Sequence, residues 1–400
     1  MFELLETAPP DPILGLAEIF RTDPRPDKIN LSVGVFQNER GETPVLDVVK
    51  EAERALVAGE ATKDYLPIPG EAEFGSAVRA LVFGPDAPVL SAGRAVTVHT
   101  PGGTGALRVA ADLLARHRAG ARVWLSDPTW PNHAGVFAAA GFATASYPWY
   151  DAATGGVARA RLLESLRAVP AGDIVVLHAC CHNPTGADPG AGTWREVAAI
   201  TRERGFLPLL DFAYQGFADG LDADATAVRV LAEVVPELLV ASSFSKNFGL
   251  YRERVGALTL VAGSAAVAEV ALSQLKTVIR VSYSNPPAHG GRVVARVLGD
   301  PGLRGRWERE VAAMRDRLNA MRCLLASQLA ALDLGRDFSF LERGRGMFSL
   351  TGLSADHVRA LRESHGIYLV GSGRINVAGL TPANAERVAR AVATVLRARV

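Results

Sequence analysis

The feature that most constrains the fold is a regular alternation of apolar runs and helical patterns between residues 101 and 260. Short, mostly apolar runs predict strands over residues 121–125, 143–147, 174–177, 207–210, 238–242 and 256–260. Amphipathic stretches between them predict helices over residues 104–117, 134–140, 159–167, 193–204 and 225–231. Such an alternation is typical of an α/β fold with a mostly parallel sheet wrapped by helices.

The two ends of the chain follow a different pattern. Beyond residue 305 we expect one long helix over 307–331, short strands near 347–350 and 368–370, and helices over 354–364 and 383–396. Elsewhere we expect an apolar-faced arm over 11–20, a strand over 29–35, and helices from residue 44, over 71–81 and over 266–279. Because 400 residues exceed one small core, we predict three parts. Residues 1–43 form an N-terminal arm and part of the small domain, residues 44–304 the large domain, and residues 305–400 a smaller α+β domain.

Composition excludes several classes of function. The chain has 43 basic and 42 acidic residues, so there is no bulk charge to attract nucleic acid or an anionic membrane. Its three cysteines, Cys180, Cys181 and Cys323, match no zinc-site spacing, and we expect no metal. Few cysteines, an N-terminus without a basic region and the lack of an apolar run of about 18 residues predict a cytoplasmic protein.

A lysine follows one of the predicted buried strands. The strand over 238–242 should end near Ser243, which places Lys246 in the loop beyond its carboxyl end, where α/β proteins bind ligands. A lysine in a partly dry crevice can attack a carbonyl as the free amine. Nearby, Ser243, Ser245 and Arg254 would suit a phosphate. The alternative for this stretch is a solvated loop with a surface lysine.

A carboxylate follows a second predicted strand. The strand over 207–210 ends at Asp211, and a carboxylate there is costly to bury unless a cation meets it. A protonated pyridine nitrogen would serve, and Tyr214 could hydrogen-bond a phenolate oxygen. A reactive lysine, a carboxylate for a pyridinium and an anchored phosphate together describe a site for pyridoxal phosphate.

Three other motifs are less specific alone. Gly103 and Thr104 open a helix and could hold an anion, although a plain turn before a helix is an equal alternative. The stretch is neither a P-loop nor a good dinucleotide fingerprint, because the third glycine position is Arg108. Trp130 could stack on a flat ring or be a core aromatic. A Cys–His nucleophile at residues 180–182 is disfavoured, because the thiols adjoin a predicted strand and should be buried and inert.

Seven motifs in this order resemble the aspartate/aromatic amino acid aminotransferases, which are fold-type-I pyridoxal phosphate enzymes. The resemblance runs from residue 11 to the C-terminus. The motifs are TPGGTGALRVAADLL, SDPTWPNH, HACCHNPTG, DFAYQGF, SSFSKNFGLYRERVG, YSNPPAHG and SGRINVAG.

The resemblance implies a role for each candidate residue. It makes Lys246, Asp211 and Tyr214 catalytic, and it places the cofactor pyridine ring against Trp130, with His133 behind Asp211. Asn183 and Tyr214 would contact the ring oxygen. The cofactor phosphate would be held by Gly103, Thr104, Ser243, Ser245, Arg254 and, from a second subunit, Tyr65.

The resemblance also implies how substrate is bound. Arg374, helped by the backbone of Gly34, would take the α-carboxylate, and Arg280 of a second subunit would take a distal carboxylate. Trp130 and Asn183 would complete the substrate site. The implied assembly is therefore a homodimer with shared active sites.

The predicted reaction moves the amino group of aspartate, tyrosine or phenylalanine to 2-oxoglutarate, giving oxaloacetate or an aromatic keto acid plus glutamate. Rivals are a pyridoxal phosphate β-lyase or decarboxylase, a non-catalytic regulator with an aminotransferase-like core, and a nucleotide-dependent dehydrogenase. Donor preference stays open. Aspartate-selective relatives resemble this chain at Val35, Thr43, Thr104 and Asn285, aromatic-type relatives resemble it at residues 147–150, and Gln37 and Asp64 match neither.

Overall fold

The computed structural model describes residues 2–7 and 14–398. Residues 11–13 of the predicted arm, and the proline-rich stretch before them, lie outside the described residues. Short 3-10 turns cover Phe2–Leu4 and Val377–Gly379. The helices are α1 (Leu14–Thr22), α2 (Asp47–Gly59), α3 (Ala72–Phe83), α4 (Pro88–Ser91), α5 (Gly102–His117), α6 (Asn132–Ala138), α7 (Arg159–Ala168), α8 (Ala191–Arg204), α9 (Leu221–Asp224), α10 (Thr226–Val234), α11 (Ala265–Ser282), α12 (Ala288–Gly299), α13 (Pro301–Ala330), α14 (Phe340–Arg343), α15 (Ala355–His365) and α16 (Ala385–Arg397).

The strands form one large sheet and three small ones. They are β1 (Ile29–Asn30), β2 (Ala95–Pro101), β3 (Arg122–Asp127), β4 (Ala143–Pro148), β5 (Tyr150–Asp151), β6 (Gly156–Val157), β7 (Ile174–His178), β8 (Leu207–Phe212), β9 (Leu238–Ser243), β10 (Val255–Val261), β11 (Phe348–Leu350), β12 (Ile367–Tyr368) and β13 (Arg374–Asn376). The large sheet has the order β2-β10-β9-β8-β7-β3-β4. Neighbours from β9 to β4 are parallel, and β10 is antiparallel to both β9 and β2. The predicted α/β fold with a mostly parallel sheet is confirmed.

Helices cover both faces of the large sheet, which is why its central strands are apolar at every position rather than at every second one. Side chains alternate between two cores because successive strand residues point to opposite faces. Val176 and Leu239 pack with α5 and α11 on one face. Val175 and Val240 pack with α7, α8 and α10 on the other. Among the described residues, no helix combines the length and apolar character that crossing a membrane requires.

The C-terminal part is built on α13, α15 and α16 with two small sheets. One pairs β1 with β12 in parallel, and the other pairs β11 with β13 antiparallel. The sequence prediction started α13 at residue 307, which is too late. Asp300 accepts hydrogen bonds from the backbone of Gly302 and Leu303, and Pro301 takes the first helical position, so the helix begins there. The domain boundaries near residues 43 and 304 stay a prediction, and α13 runs across the second.

Several further elements differ from the sequence-based expectation, and three of them are instructive. The edge strand β2 and helix α12 were not predicted. In α12, Gly290 and Gly291 weaken the helical pattern, yet added Cβ atoms would lie 2.3 Å from Val255 and 2.4 Å from His99, so close packing requires glycine. The strand expected over residues 29–35 is only Ile29–Asn30, because side chains rather than a neighbouring strand bind the carbonyls of residues 32, 33 and 35.

Candidate active site

A partly open cavity lies at the carboxyl edge of the large sheet. Strands β7, β8 and β9 are parallel neighbours, with His178 opposite Asp211 and Asp211 opposite Ala241, so the segments that follow them meet at this edge. The cavity is lined by Gly103, Thr104, Leu107, Trp130, His178, Asn183, Asp211, Ala213, Tyr214, Ser243, Ser245, Lys246 and Arg254. The structure thus brings together most of the residues that the motifs singled out.

Asp211 is buried and is held by a histidine behind it. His133 Nε2 lies 3.0 Å from Asp211 Oδ2, and Thr129 Oγ1 lies 2.8 Å from His133 Nδ1. Burial by itself would raise the pKa of Asp211, but the hydrogen bond from His133 and the fields of His133, His178 and Lys246 lower it below its usual value. The group is therefore a carboxylate near neutral pH and can keep a proton on a basic ring nitrogen placed against it.

Lys246 lines the same cavity, three residues beyond the end of β9. Burial lowers the pKa of its amine to about 8; the Asp211 carboxylate opposes this shift and the Arg254 guanidinium adds to it. Its Nζ lies 5.1 Å from the centroid of the Tyr214 ring. A lysine with this pKa has an appreciable neutral fraction near pH 7, which a nucleophile or general base requires.

The start of α5 packs directly onto the loop that carries Lys246. A Cβ on Gly102 would lie 2.5 Å from an Arg254 guanidinium nitrogen, and one on Gly103 would lie 3.0 Å from Ser243 Cβ. Arg254 NH1 donates to Ser245 Oγ at 3.4 Å. Free N–H groups at a helix start, two hydroxyls and a guanidinium form a donor set that fits a phosphate.

Arg374 is a buried cation at the side of the cavity that Asn183 lines. It is 3% exposed, its NH1 donates to Asn183 Oδ1 at 3.1 Å, and its NH2 donates to Ser32 O at 2.8 Å. Its guanidinium lies over the Phe348 ring at 4.2 Å. Burial lowers its pKa to about 10. Within the described residues no carboxylate pairs with it, so the chemistry suits an external anion.

Other predicted site residues lie outside the cavity lining. Tyr65 is 91% exposed, and Arg280 is exposed near the end of α11, where it donates to Ser284 Oγ. Gly34 lies beside Phe348, since a Cβ there would be 3.1 Å from Phe348 Cζ. His133 is not a lining residue, but it contacts three that are: Asp211 by a hydrogen bond, and Trp130 and His178 through its ring.

The motifs did not single out His178, Leu107 or Ala213 as cavity residues. His178 is buried, neither of its ring nitrogens has a hydrogen-bond partner among the described residues, and burial holds its pKa well below the usual value. The available signal was its position at the end of a buried strand next to the one that ends at Asp211. His133, His178 and Asp211 place ligand atoms within 4.8 Å of one another, a spacing that a metal ion could share.

The adjacent cysteines do not form a nucleophilic site. Cys180 and Cys181 are both buried, and burial raises the pKa of each thiol far above neutrality. His182, the only imidazole in the same motif after them, is bonded instead to Ser126 Oγ and Thr185 Oγ1. These thiols are protonated and structural, as the sequence indicated.

Known proteins match this chain along nearly its whole length. A family model described as aminotransferase class I and II matches residues 26–392. Aspartate aminotransferase of Escherichia coli (strain K12) is 51% identical over 396 residues, covering 99% of this chain and 100% of the relative. Aromatic-amino-acid aminotransferase of the same strain is 48% identical over 397 residues, covering 99% and 100%.

A solved structure matches equally well. The crystal structure of aromatic-amino-acid aminotransferase from Burkholderia pseudomallei, covalently bound to pyridoxal phosphate, is 49% identical and has a TM-score of 0.97. The match covers 99% of this chain and 100% of that one, so it includes both the large sheet and the C-terminal part. The chain therefore belongs to the class I and II aminotransferases and is a transaminase.

Proposed function

We propose that this transaminase uses pyridoxal phosphate to exchange amino groups between aspartate or glutamate and their 2-oxo acids, with tyrosine and phenylalanine as further donors. The observation that carries the proposal is the joint placement of Lys246, Asp211 and Asn183 in one cavity, with Asn183 bonded to the buried Arg374. A reactive amine and a carboxylate anchor thus lie in one site.

The lining residues fit the cofactor. When bound, pyridoxal phosphate supplies an electron sink that makes the Cα proton of an amino acid acidic. Its phosphate would lie among Ser243, Ser245 and Arg254 at the start of α5, where Gly103 and Thr104 contribute backbone N–H groups. Asp211 would hold the pyridine nitrogen protonated, and Trp130 would cover the ring. Asn183 and Tyr214 would bind the ring oxygen.

Lys246 would act as the proton carrier. Its Nζ would tether the cofactor, as a lysine amine can hold a carbonyl compound. The amine, once free, would take the proton from substrate Cα as a base and deliver it to the cofactor carbon as an acid, and the reverse half-reaction would move it back. The lowered pKa of this amine supports both roles, because the base must be the neutral amine and the acid must be the ammonium, and a pKa of about 8 leaves both forms populated near neutral pH.

Two arginines would read the two carboxylates of aspartate or glutamate. Arg374 would bind the α-carboxylate that every substrate carries, together with the backbone N–H of Gly34. Arg280 would bind the distal carboxylate that aromatic substrates lack. A guanidinium suits this task because it offers two parallel N–H groups to a carboxylate.

Arg280 and Tyr65 would serve the site of a partner subunit in a homodimer. Both side chains are exposed on the single chain, and the neighbouring Val281 is 72% exposed, which supports a covered surface in the assembly. We place the enzyme in the cytoplasm on its cysteine content, and we keep the division into residues 1–43, 44–304 and 305–400 as the proposed domain organisation.

An absorption scan of the purified holoenzyme tests the reaction. The visible band of the bound cofactor should disappear on adding L-aspartate and return on adding 2-oxoglutarate, with equal amounts of oxaloacetate and glutamate formed. Release of ammonia and pyruvate from an amino acid with a leaving group on Cβ would indicate a β-lyase, and release of CO₂ from aspartate a decarboxylase. A protein whose band ignores amino acids would be a non-catalytic relative.

A further inference from the structure

Asn376 lies two residues after Arg374 on the short strand β13. Residues two apart on a strand share a face, so both side chains point to the same side. Both are buried, at 2% and 3% exposure. On that side runs the segment of residues 31–36. Its backbone is joined to β12 and β13 through Leu31, which donates to Tyr368 O at 2.9 Å and accepts from Asn376 N at 2.7 Å.

The amide of Asn376 binds the main chain on both sides of Gly34. Its Nδ2 donates to Val33 O at 2.5 Å and to Val35 O at 2.8 Å, so both of its N–H groups are used. Its Oδ1 accepts from the backbone N of Ala378 at 3.0 Å, which fixes the orientation of the amide.

Each of these carbonyls fixes a peptide plane. Because the peptide unit is planar, holding Val33 O also fixes the direction of the Gly34 N–H in the same plane. Holding Val35 O likewise fixes the Phe36 N–H, which donates to Tyr251 Oη at 2.8 Å. Arg374, on the same strand as Asn376, donates from a guanidinium nitrogen to the preceding carbonyl, Ser32 O. Strand β13 thus carries the Arg374 guanidinium and also positions the segment of residues 31–36 that lies against it.

We propose that Asn376 is a positioning residue for recognition of the substrate α-carboxylate. It acts by holding the Gly34 backbone N–H in register with the Arg374 guanidinium, so that both meet the same carboxylate. The inference rests on the proposed role of Arg374. Without the Asn376 amide, two buried carbonyls lose their donors and the Gly34 peptide is free to rotate away.

The test compares two amines that differ only in the α-carboxylate. β-Alanine keeps the amine and distal carboxylate of aspartate but lacks the α-carboxylate. In single-turnover bleaching of the cofactor band, Asn376→Ala should lower the second-order rate constant for aspartate by roughly 10- to 100-fold, which corresponds to losing one or two buried hydrogen bonds. The constant for β-alanine should change less than about twofold on the same reasoning. For aspartate the loss should appear in KM, with kcat nearly kept.

Asn384→Ala is a matched control. The Asn384 amide also holds a turn, by donating to Gly379 O at 3.0 Å and accepting from Thr381 N at 2.8 Å, but it lies outside the segment that carries Gly34. This variant should leave the ratio of the aspartate and β-alanine constants unchanged. Asn376→Ser, whose hydroxyl can donate to one of the two carbonyls, should restore part of the ratio and replaces the alanine variant if that one does not fold.

Arg374→Ala separates failure of this inference from failure of the proposed function. If Arg374→Ala lowers the two constants equally, Arg374 does not bind the α-carboxylate and the proposed function is wrong at that point. If Arg374→Ala is selective against aspartate but both Asn376 variants lower aspartate and β-alanine equally, the positioning role is overturned. A loss that is larger for aspartate than for β-alanine in both Arg374→Ala and the Asn376 variants supports the positioning role.

Discussion

At the edge of the large sheet, Asp211 and Lys246 follow strands that main-chain ladders hold in register. By contrast, the side chains of Arg374 and Asn376 hold residues 32–35, the segment that carries Gly34. We call the first region the cofactor end, made of the cavity residues around Asp211, Lys246 and the start of α5. We call the second the carboxylate end, made of residues 32–36, Arg374, Asn183 and Arg280. In the proposed function both ends act on one substrate, yet their structural supports differ.

This difference in support should affect how rigidly each end of the site is held. Strands β7, β8 and β9 are buried at almost every position, so the cofactor end cannot shift without breaking sheet hydrogen bonds. The carboxylate end depends on Arg374, Asn376 and an arginine, Arg280, that is exposed at the surface. Changes at the cofactor end should therefore abolish the activity with all substrates. Changes at the carboxylate end should lower the activity with some substrates more than with others, according to the carboxylates that each substrate carries.

The largest effect should follow removal of the Lys246 amine. Lys246→Ala should lower turnover by at least roughly 10⁴-fold for every donor, because one amine provides both the tether and the proton carrier. Steady-state assays with aspartate and phenylalanine measure this, and Lys276→Ala, at an exposed position of α11, is the control. Steady turnover by the purified Lys246→Ala protein would contradict the assignment.

Removal of the Asp211 carboxylate should have the next largest effect. Asp211→Ala should lower kcat by roughly 10³-fold and weaken cofactor binding, because the ring nitrogen loses its proton and His133 loses its partner. The loss should be similar for aspartate and phenylalanine. Asp222→Ala, whose side chain is 89% exposed, is the control. A kcat near that of the unmodified enzyme would be incompatible with the role of Asp211.

At the carboxylate end, Arg280→Ala should separate the donors. Losing a buried charge-assisted pair costs about 2–5 kcal/mol, so kcat/KM for aspartate should fall by roughly 30- to several-thousand-fold. For phenylalanine it should fall far less or rise, because an aromatic ring gains nothing from the guanidinium. Arg390→Ala, on the exposed side of α16, is the control. Equal losses for both donors would mean that Arg280 does not read the distal carboxylate.

Mixed dimers test whether the two ends of a site come from different subunits. Random association of equal amounts of Lys246→Ala and Arg280→Ala chains gives half heterodimers, each with one intact site if the sites are shared. Activity with aspartate should then return to about a quarter of that of the unmodified enzyme. If heterodimers form, as judged by differently tagged chains, and no activity returns, the shared-site arrangement is wrong.

The sequence predicted the cofactor end far better than the carboxylate end. Asp211 and Lys246 follow buried strands whose apolar pattern is local, so their meeting at one sheet edge could be inferred from the strands. The support of Gly34 could not, because Asn376 and Val33 are 343 residues apart and no periodicity joins them. The same contact explains why the strand predicted over residues 29–35 was wrong: its carbonyls are bound by side chains.

His178 shows a second limit. A histidine at the end of a strand has no pattern that separates a cavity residue from a packed one, and only the register with Asp211 shows where it lies. Helix α12 shows a third, since its glycines are required by contacts with Val255 and His99 that are distant in sequence. In each case tertiary contacts, not local propensity, decide the role of the residue.

The smallest expected effect is a shift in the pH at which the Lys246 amine becomes reactive. This shift reports how the charged neighbours of Lys246 at the cofactor end act on its pKa. In the cofactor-free enzyme, the rate of covalent reaction with pyridoxal, which lacks the phosphate, should follow the neutral amine. Because burial lowers the pKa of Lys246 to about 8, the rate should rise about tenfold per pH unit below 8 and level off above it.

The neighbours should move that midpoint in opposite directions. The Asp211 carboxylate favours the ammonium form, so Asp211→Asn should shift the midpoint to lower pH, whereas Arg254→Gln, which removes a like charge, should shift it to higher pH. The reaction is followed by absorbance. A peptide with an exposed lysine is the reference, and its reaction rate should keep rising with pH up to the usual lysine pKa of about 10.5. An unchanged midpoint in both variants would mean that burial alone sets the reactivity of Lys246, and shifts of the same sign would contradict the roles assigned to these two charges.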